Sequence, residues 1–141
     1  MNFYIEKLRS SGLRPTKQRL AICKILFDRK ETLHFTIEDL KKILEKNSRK
    51  KISLSTLYNT VHALKEKGYL KEIPIKSNNT FYDTNIESHH HFYDEDQSEL
   101  IDINNQNISL NNFPKIPNGK KIKSIEIMVR LANNTQKQKS N

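Results

Sequence analysis

Apolar residues recur at helical spacing through the first half of this chain and alternate in parts of the second. Residues 2–11 predict a short helix stopped by Gly12. Pro15 suits the first turn of a second helix reaching about Phe27, with Leu20, Ile22, Cys23, Leu26 and Phe27 on its buried side. His34 falls in the loop before a third helix, which Thr36 caps and in which Ile37, Leu40, Ile43 and Leu44 repeat. Ser53 caps a fourth, ended by Gly68, with Leu54, Leu57, Val61 and Leu64 as a narrow apolar stripe.

Two strand-like runs follow, Leu70–Ile75 and Thr80–Thr84, joined by the turn-rich Lys76-Ser77-Asn78-Asn79. Helices followed by a hairpin predict a winged helix. Beyond it, Glu99–Ile103 reads as a strand and residues 104–119 as an Asn- and Pro-rich loop. Lys123–Leu131 predicts a long strand with Ile125, Ile127, Val129 and Leu131 on one face, and residues 133–141 a disordered polar tail. The expected division is 1–84, 85–132 and a tail, in an α+β chain.

Hydrophobic residues make up 35% of 141, which limits the core and leaves a subunit interface to supply further burial. The net charge of +9 is segregated. Residues 1–71 hold 17 Lys/Arg against 7 Asp/Glu, residues 72–103 hold 1 against 8, and residues 104–141 hold 7 against 1. A basic domain beside an acidic one points to a polyanion on one side and cation chemistry on the other. A merely solvated Lys-rich surface is the plainer reading of the same numbers. No apolar run approaches the ~18–20 residues of a membrane span. The opening MNFYIEKLRSSG lacks a signal core, so a cytoplasmic protein is expected. Cys23 is the only cysteine, which excludes an intramolecular disulfide and a four-cysteine zinc site within the chain.

Ser55, Tyr58, Asn59, His62 and Lys65 share a broad polar face of the fourth helix. Asn suits an adenine edge, and Ser, Thr and Tyr suit phosphate or base edges. Lys17, Arg19, Lys50 and Lys51 are placed for phosphate neutralisation. An exposed amphipathic helix with no nucleic-acid partner remains the alternative.

His89-His90-His91 carries the densest chemistry. On a strand, His89 and His91 point together and His90 away. Asp83 and Asp102 could approach from neighbouring strands, and His34 from the first domain. Two or three imidazoles with two carboxylates suit iron or manganese, with zinc as an alternative. The triplet could also be a surface accident beside Asp94-Glu95-Asp96, or a haem ligand through His90. Cys23 lacks the following proline of a Cys-Pro haem motif and reads as core. With no nucleophile elbow and only three glycines, no enzyme is expected.

Several stretches together resemble the ferric uptake regulator superfamily. They are Gly12-Leu13-Arg14-Pro15-Thr16-Lys17-Gln18-Arg19, His34-Phe35-Thr36, Ser53-Leu54-Ser55-Thr56-Leu57-Tyr58-Asn59-Thr60, Phe81-Tyr82-Asp83 and the histidine triplet. Within it, Tyr58-Asn59-Thr60 and Leu100-Ile101-Asp102 look most like the iron response regulators of alphaproteobacteria. The resemblance spans roughly residues 8–131. It implies a winged-helix DNA-binding domain, then a small α/β dimerisation domain, acting as a homodimer on double-stranded DNA at a palindromic operator. It implies that His34, Asp83, His89, His91 and Asp102 hold a divalent metal. Haem at His89, His90 or His91 is a second implied signal. DNA contacts would come from Arg14, Lys17, Arg19, Lys51, Ser55, Thr56, Tyr58, Asn59 and His62. The Cys-x-x-Cys pairs of many relatives are absent. A metal or haem buffer with no DNA target is the competing class.

Overall fold

A computed structural model describes residues 2–48, 50–76 and 79–135. The turn expected at Ser77-Asn78 and the tail from residue 136 lie outside the described residues. The chain divides into two compact units, Met1–Ile86 and Glu87–Asn141.

The first unit opens with α1 (Asn2–Ser10) and α2 (Lys17–Phe27). α2 starts later than the pattern predicts. Thr16 is extended, and its Oγ1 accepts the Arg19 amide at 3.2 Å. That bond satisfies an open first-turn N–H, so Pro15 precedes the cap instead of starting the helix. In α3 (Ile37–Ser48), Thr36 Oγ1 accepts the Asp39 amide and the Asp39 carboxylate accepts the Thr36 amide, both at 3.1 Å. This reciprocal box closes the helix start. α4 (Leu54–Glu66) is capped by Ser53, whose Oγ accepts the Thr56 amide at 3.1 Å. It ends at Gly68, φ 91°, and the Tyr69 amide reaches back to the Leu64 carbonyl. This closure takes a left-handed residue, which glycine supplies cheaply.

The core deviates from the predicted stripe in one instructive place. Leu57, Val61 and Leu64 are buried, but Leu54 is 45% exposed. Leu54 lies at the first helical position, ahead of the turn that faces inward. Thr60 takes the fourth place instead, completing an i, i+3, i+4, i+7 face with Leu57, Val61 and Leu64. Its hydroxyl donates to the Thr56 carbonyl at 2.7 Å, so its burial leaves no polar group unmatched. Leu20, Phe27 and Ile43 are only half-buried. Ile22, Cys23 and Leu26 join Leu8, Phe35 and Leu40 in the core. Each such aliphatic side chain contributes ~1.5–3 kcal/mol on burial.

β2 (Lys71–Lys76) and β3 (Asn79–Asp83) form the hairpin, and β1 (His34–Phe35) adds a third strand in the order β1-β3-β2. His34, predicted in a loop, therefore lies in a strand. Two residues are too few to register as alternation, but Phe35 is fully buried and stacks on Tyr82 at 5.7 Å, its partner in the ladder. Pro74 lies in the edge strand β2, where a missing N–H is tolerated, and the register shifts just after it.

The second unit is a three-stranded sheet in the order β5-β4-β6, from β4 (His90–Asp94), β5 (Glu99–Ile103) and β6 (Met128–Leu131). Asp94 Oδ1 accepts the amides of Asp96 and Gln97 at 2.9 and 3.0 Å, starting the turn that joins β4 to its antiparallel neighbour β5. β6 runs parallel to β4. It is shorter than the strand predicted over Lys123–Leu131, because β4 offers ladder partners only from His91 to Asp94. The register sets Ile101, Phe92 and Val129 in one row across the sheet, with Ile101 42% and Val129 37% exposed. Between β5 and β6, the regular structure is a single 3₁₀ turn, Asn105–Asn107. Among the described residues, no helix is long and apolar enough to cross a membrane.

Candidate metal centre

Each unit carries a histidine–aspartate pair, and both pairs arise in the same way: as directly opposed residues of two antiparallel strands. In the first unit His34 faces Asp83 in the β1–β3 register, with Nε2 to Oδ2 at 3.0 Å. Asp83 is fully buried, and its other oxygen accepts the Asn85 amide at 2.8 Å. An ionised carboxylate at that depth needs such partners. The short strand β1 thus sets His34 directly opposite Asp83.

In the second unit His91 faces Asp102 in the β4–β5 register. His91 Nε2 lies 3.3 Å and His89 Nε2 3.2 Å from the same oxygen, Asp102 Oδ1. The two rings are 4.4 Å apart. Both histidines are buried, whereas the Asp102 side chain is 46% exposed. His89 Nδ1 meets the Glu87 carbonyl at 2.6 Å. When that nitrogen carries the proton, Nε2 presents its lone pair towards Asp102, as a metal-binding imidazole requires. Two imidazole nitrogens sharing one carboxylate oxygen suit a borderline divalent cation, so the donor set fits the predicted ion. His34 and Asp83 are thus the candidate ligands of the first unit, and His89, His91 and Asp102 those of the second.

His90 has a different position. Its Nδ1 accepts the Ile127 amide at 2.9 Å, so it serves as a backbone partner within the sheet. Asn105 is a residue that sequence reasoning missed: its Nδ2 donates to the Ser88 carbonyl at 2.9 Å, bracing the chain beside His89. An asparagine in a polar loop carries no signal of that role.

The predicted polyanion face is also distributed over the first unit. Ser55, Tyr58, Asn59 and His62 of α4 are exposed, as are Arg14, Lys17 and Lys51. Two candidates are partly engaged elsewhere. Arg19 is half-buried and donates to the Arg14 carbonyl at 3.0 Å, while the Thr56 hydroxyl pairs with Ser53 at 2.8 Å. Lys65 is drawn off the face by Glu66 at 2.9 Å and Glu72 at 3.1 Å. Hydrogen bonds to these carboxylates raise its pKa, and the Lys65 bond lowers that of Glu66. Glu72 lies in β2, so its effect could not be read from helix spacing.

The sequence model of the ferric uptake regulator family matches residues 10–130. The peroxide-responsive repressor PerR of Staphylococcus saprophyticus is 30% identical over 99 residues, covering 70% of this chain. That match takes in 65% of the relative, so the chain spans a little under two thirds of its length. The ferric uptake regulator of Pseudomonas aeruginosa, solved with manganese, superposes with a TM-score of 0.66 at 16% identity, covering 94% of this chain and 98% of that one. The regulator of Francisella tularensis, solved with iron, gives 0.68 at 14% identity, over 89% and 96%. At these identities the likeness is one of fold.

Proposed function

Because the chain belongs to the ferric uptake regulator family, we propose that it is a metal-responsive, DNA-binding transcriptional regulator, not an enzyme, working as a cytoplasmic homodimer on a palindromic operator. The observation that carries this reading is the pair of cross-strand His–Asp couples, one in each unit. In this reading His34 and Asp83 act with His89, His91 and Asp102 on one divalent ion. The ion supplies the positive charge that two carboxylates and three neutral imidazoles are suited to neutralise and bind.

The residues then do the coupling. His34 and Asp83 belong to the unit that bears α4, and His89, His91 and Asp102 to the other. Sharing a ligand favours one relation of the units over others. A difference of ~1–3 kcal/mol between relations changes operator affinity roughly 5–150-fold. Tyr58 and Asn59 read base edges, and Arg14, Lys17 and Lys51 contact phosphates, with Ser55, Thr56, His62 and Arg19 beside them.

The iron-response assignment belongs to this proposal and rests on Tyr58-Asn59-Thr60, Leu100-Ile101-Asp102 and the missing Cys-x-x-Cys pairs. Fe²⁺ or Mn²⁺ suits the oxygen-rich donor set better than closed tetrahedral zinc. Haem is the less supported signal, since His90 Nδ1 is engaged by Ile127. A peroxide response is the second reading, favoured by the identity with PerR.

The test is fluorescence-anisotropy titration of the metal-free protein onto a palindromic operator, repeated with Mn²⁺, with Fe²⁺ followed by hydrogen peroxide, and with haemin. Mn²⁺ should tighten sequence-specific binding. Release by haemin supports the iron-response assignment, and release by peroxide of the Fe²⁺ form supports the second reading. Absence of specific binding under every condition overturns the regulator and leaves a metal buffer.

A further inference from the structure

His90 stands between two candidate ligands yet sends its ring to the opposite side of β4 from His91. There its Nδ1 accepts the Ile127 amide at 2.9 Å, while the backbone amide of His91 donates to the Ile127 carbonyl at 3.1 Å. Both backbone groups of one residue are therefore held by two consecutive histidines. Ile127 immediately precedes β6, whose ladder begins with the pair His91–Met128.

Other contacts hold the far end of β6: the Asn133 amide donates to Asp96 Oδ2 at 2.6 Å, and the Arg130 guanidinium lies over the Tyr93 ring at 5.9 Å. The β6 ladder is four residues long. The Glu95 amide donates to the Leu131 carbonyl at 3.0 Å, and Arg130 approaches Glu95 at 3.5 Å with both side chains more than 40% exposed. The strand closes a long and largely exposed connection from Asn104 to Ile127. Bringing the ends of such a segment together costs conformational entropy, which the contacts of β6 with β4 and its turn must offset.

We propose that His90 is a positioning residue that pins β6 to the ligand-bearing strand, so that metal binding at His89 and His91 and docking of β6 favour one another. The inference rests on the metal-site reading above. Side chains fixed at positions 89 and 91 hold the backbone on both sides of His90, and with it the direction of the ring that grips Ile127. A docked β6 in turn holds the amide of His91. Linkage makes the effect reciprocal: whatever factor metal adds to docking, docking adds to metal affinity.

Hydrogen exchange of the full chain, read at the amides of Ile127 to Leu131 with and without Mn²⁺, tests this in wild type, His90→Leu and His90→Asn. Asn places an acceptor oxygen where Nδ1 stands, and Leu keeps bulk but has no acceptor. Without metal, His90→Leu should exchange roughly fivefold faster, the effect of one lost net hydrogen bond. It should also bind Mn²⁺ more weakly at unchanged stoichiometry, while His90→Asn restores both properties and Mn²⁺ slows exchange in wild type. Wild-type exchange in His90→Leu overturns the pin. Normal Mn²⁺ binding that leaves these amides unchanged overturns the coupling. Failure of wild type to bind Mn²⁺ at all overturns the metal-site reading and the coupling with it, and the metal-free comparison of the two variants then reports on the pin separately.

Discussion

Asp83 and Asp102 differ in one respect that separates binding from folding. Asp83 is fully buried and holds both His34 and the Asn85 amide, whereas the Asp102 side chain is 46% exposed. Asp83→Ala should destabilise the first unit by about 1–3 kcal/mol, because buried partners lose their acceptor. Asp102→Ala should cost less, because nearly half of that side chain is already in water. Both should weaken Mn²⁺ binding by at least the ~10–100-fold that loss of an outer-sphere partner costs. Denaturant melts and Mn²⁺ titrations on the two variants check the contrast, and equal losses of stability would contradict it. Cys23 gives a second residue-scale expectation. Burial pushes its thiol from 9.0 up to about 11. The folded unit thus favours the neutral form: this contribution is complete below pH 9 and is lost as pH rises through 11. Comparing the alkaline unfolding of wild type with Cys23→Ala isolates it, the wild type showing the steeper loss.

Among the elements, α4 is the most legible, including both of its ends. The apolar spacing of Leu54, Leu57, Val61 and Leu64 and the Ser53 cap are plain in the sequence, and the helix forms with that cap. The exchange of Leu54 for Thr60 on its inner face is not plain, because a threonine counts as polar until its hydroxyl is seen to bond back to Thr56. β1 escaped notice for a different reason: its existence depends on β3 as a template, and two residues have no period. The long C-terminal strand was overdrawn because alternation reports a face, while ladder length is set by the partner. Of the candidate ligands, alternation singles out His89 and His91 and residue type adds His34, Asp83 and Asp102, whereas the supporting contacts from Glu87, Asn105 and Ile127 leave no trace in residue type. For α4 itself, Tyr58→Ala and Asn59→Ala should each cost about 1–3 kcal/mol of preference for the operator over random DNA. Metal stoichiometry should be unchanged. A footprint indistinguishable from wild type in both variants would remove α4 from the interface.

For the whole molecule, charge segregation is the dominant feature. The first 71 residues carry 17 basic side chains against 7 acidic ones, and residues 72–103 reverse the sign. Operator affinity should therefore fall steeply with salt, each phosphate contact adding about 0.9 to the slope of log affinity against log salt. Lys51→Ala should lower that slope by about 1 and leave the order of preferred sequences intact. Titrations between low and physiological salt measure both quantities. Cys23, finally, is the chain's only thiol, and it is sealed in the core of the first unit. Alkylating reagents attack the thiolate, and the folded unit offers them neither a path nor an ionised target. Modification has to wait for that unit to open. The molecule thus contains a clock of its own: the rate of one covalent event counts how often the first unit comes apart, and is blind to openings confined to the second.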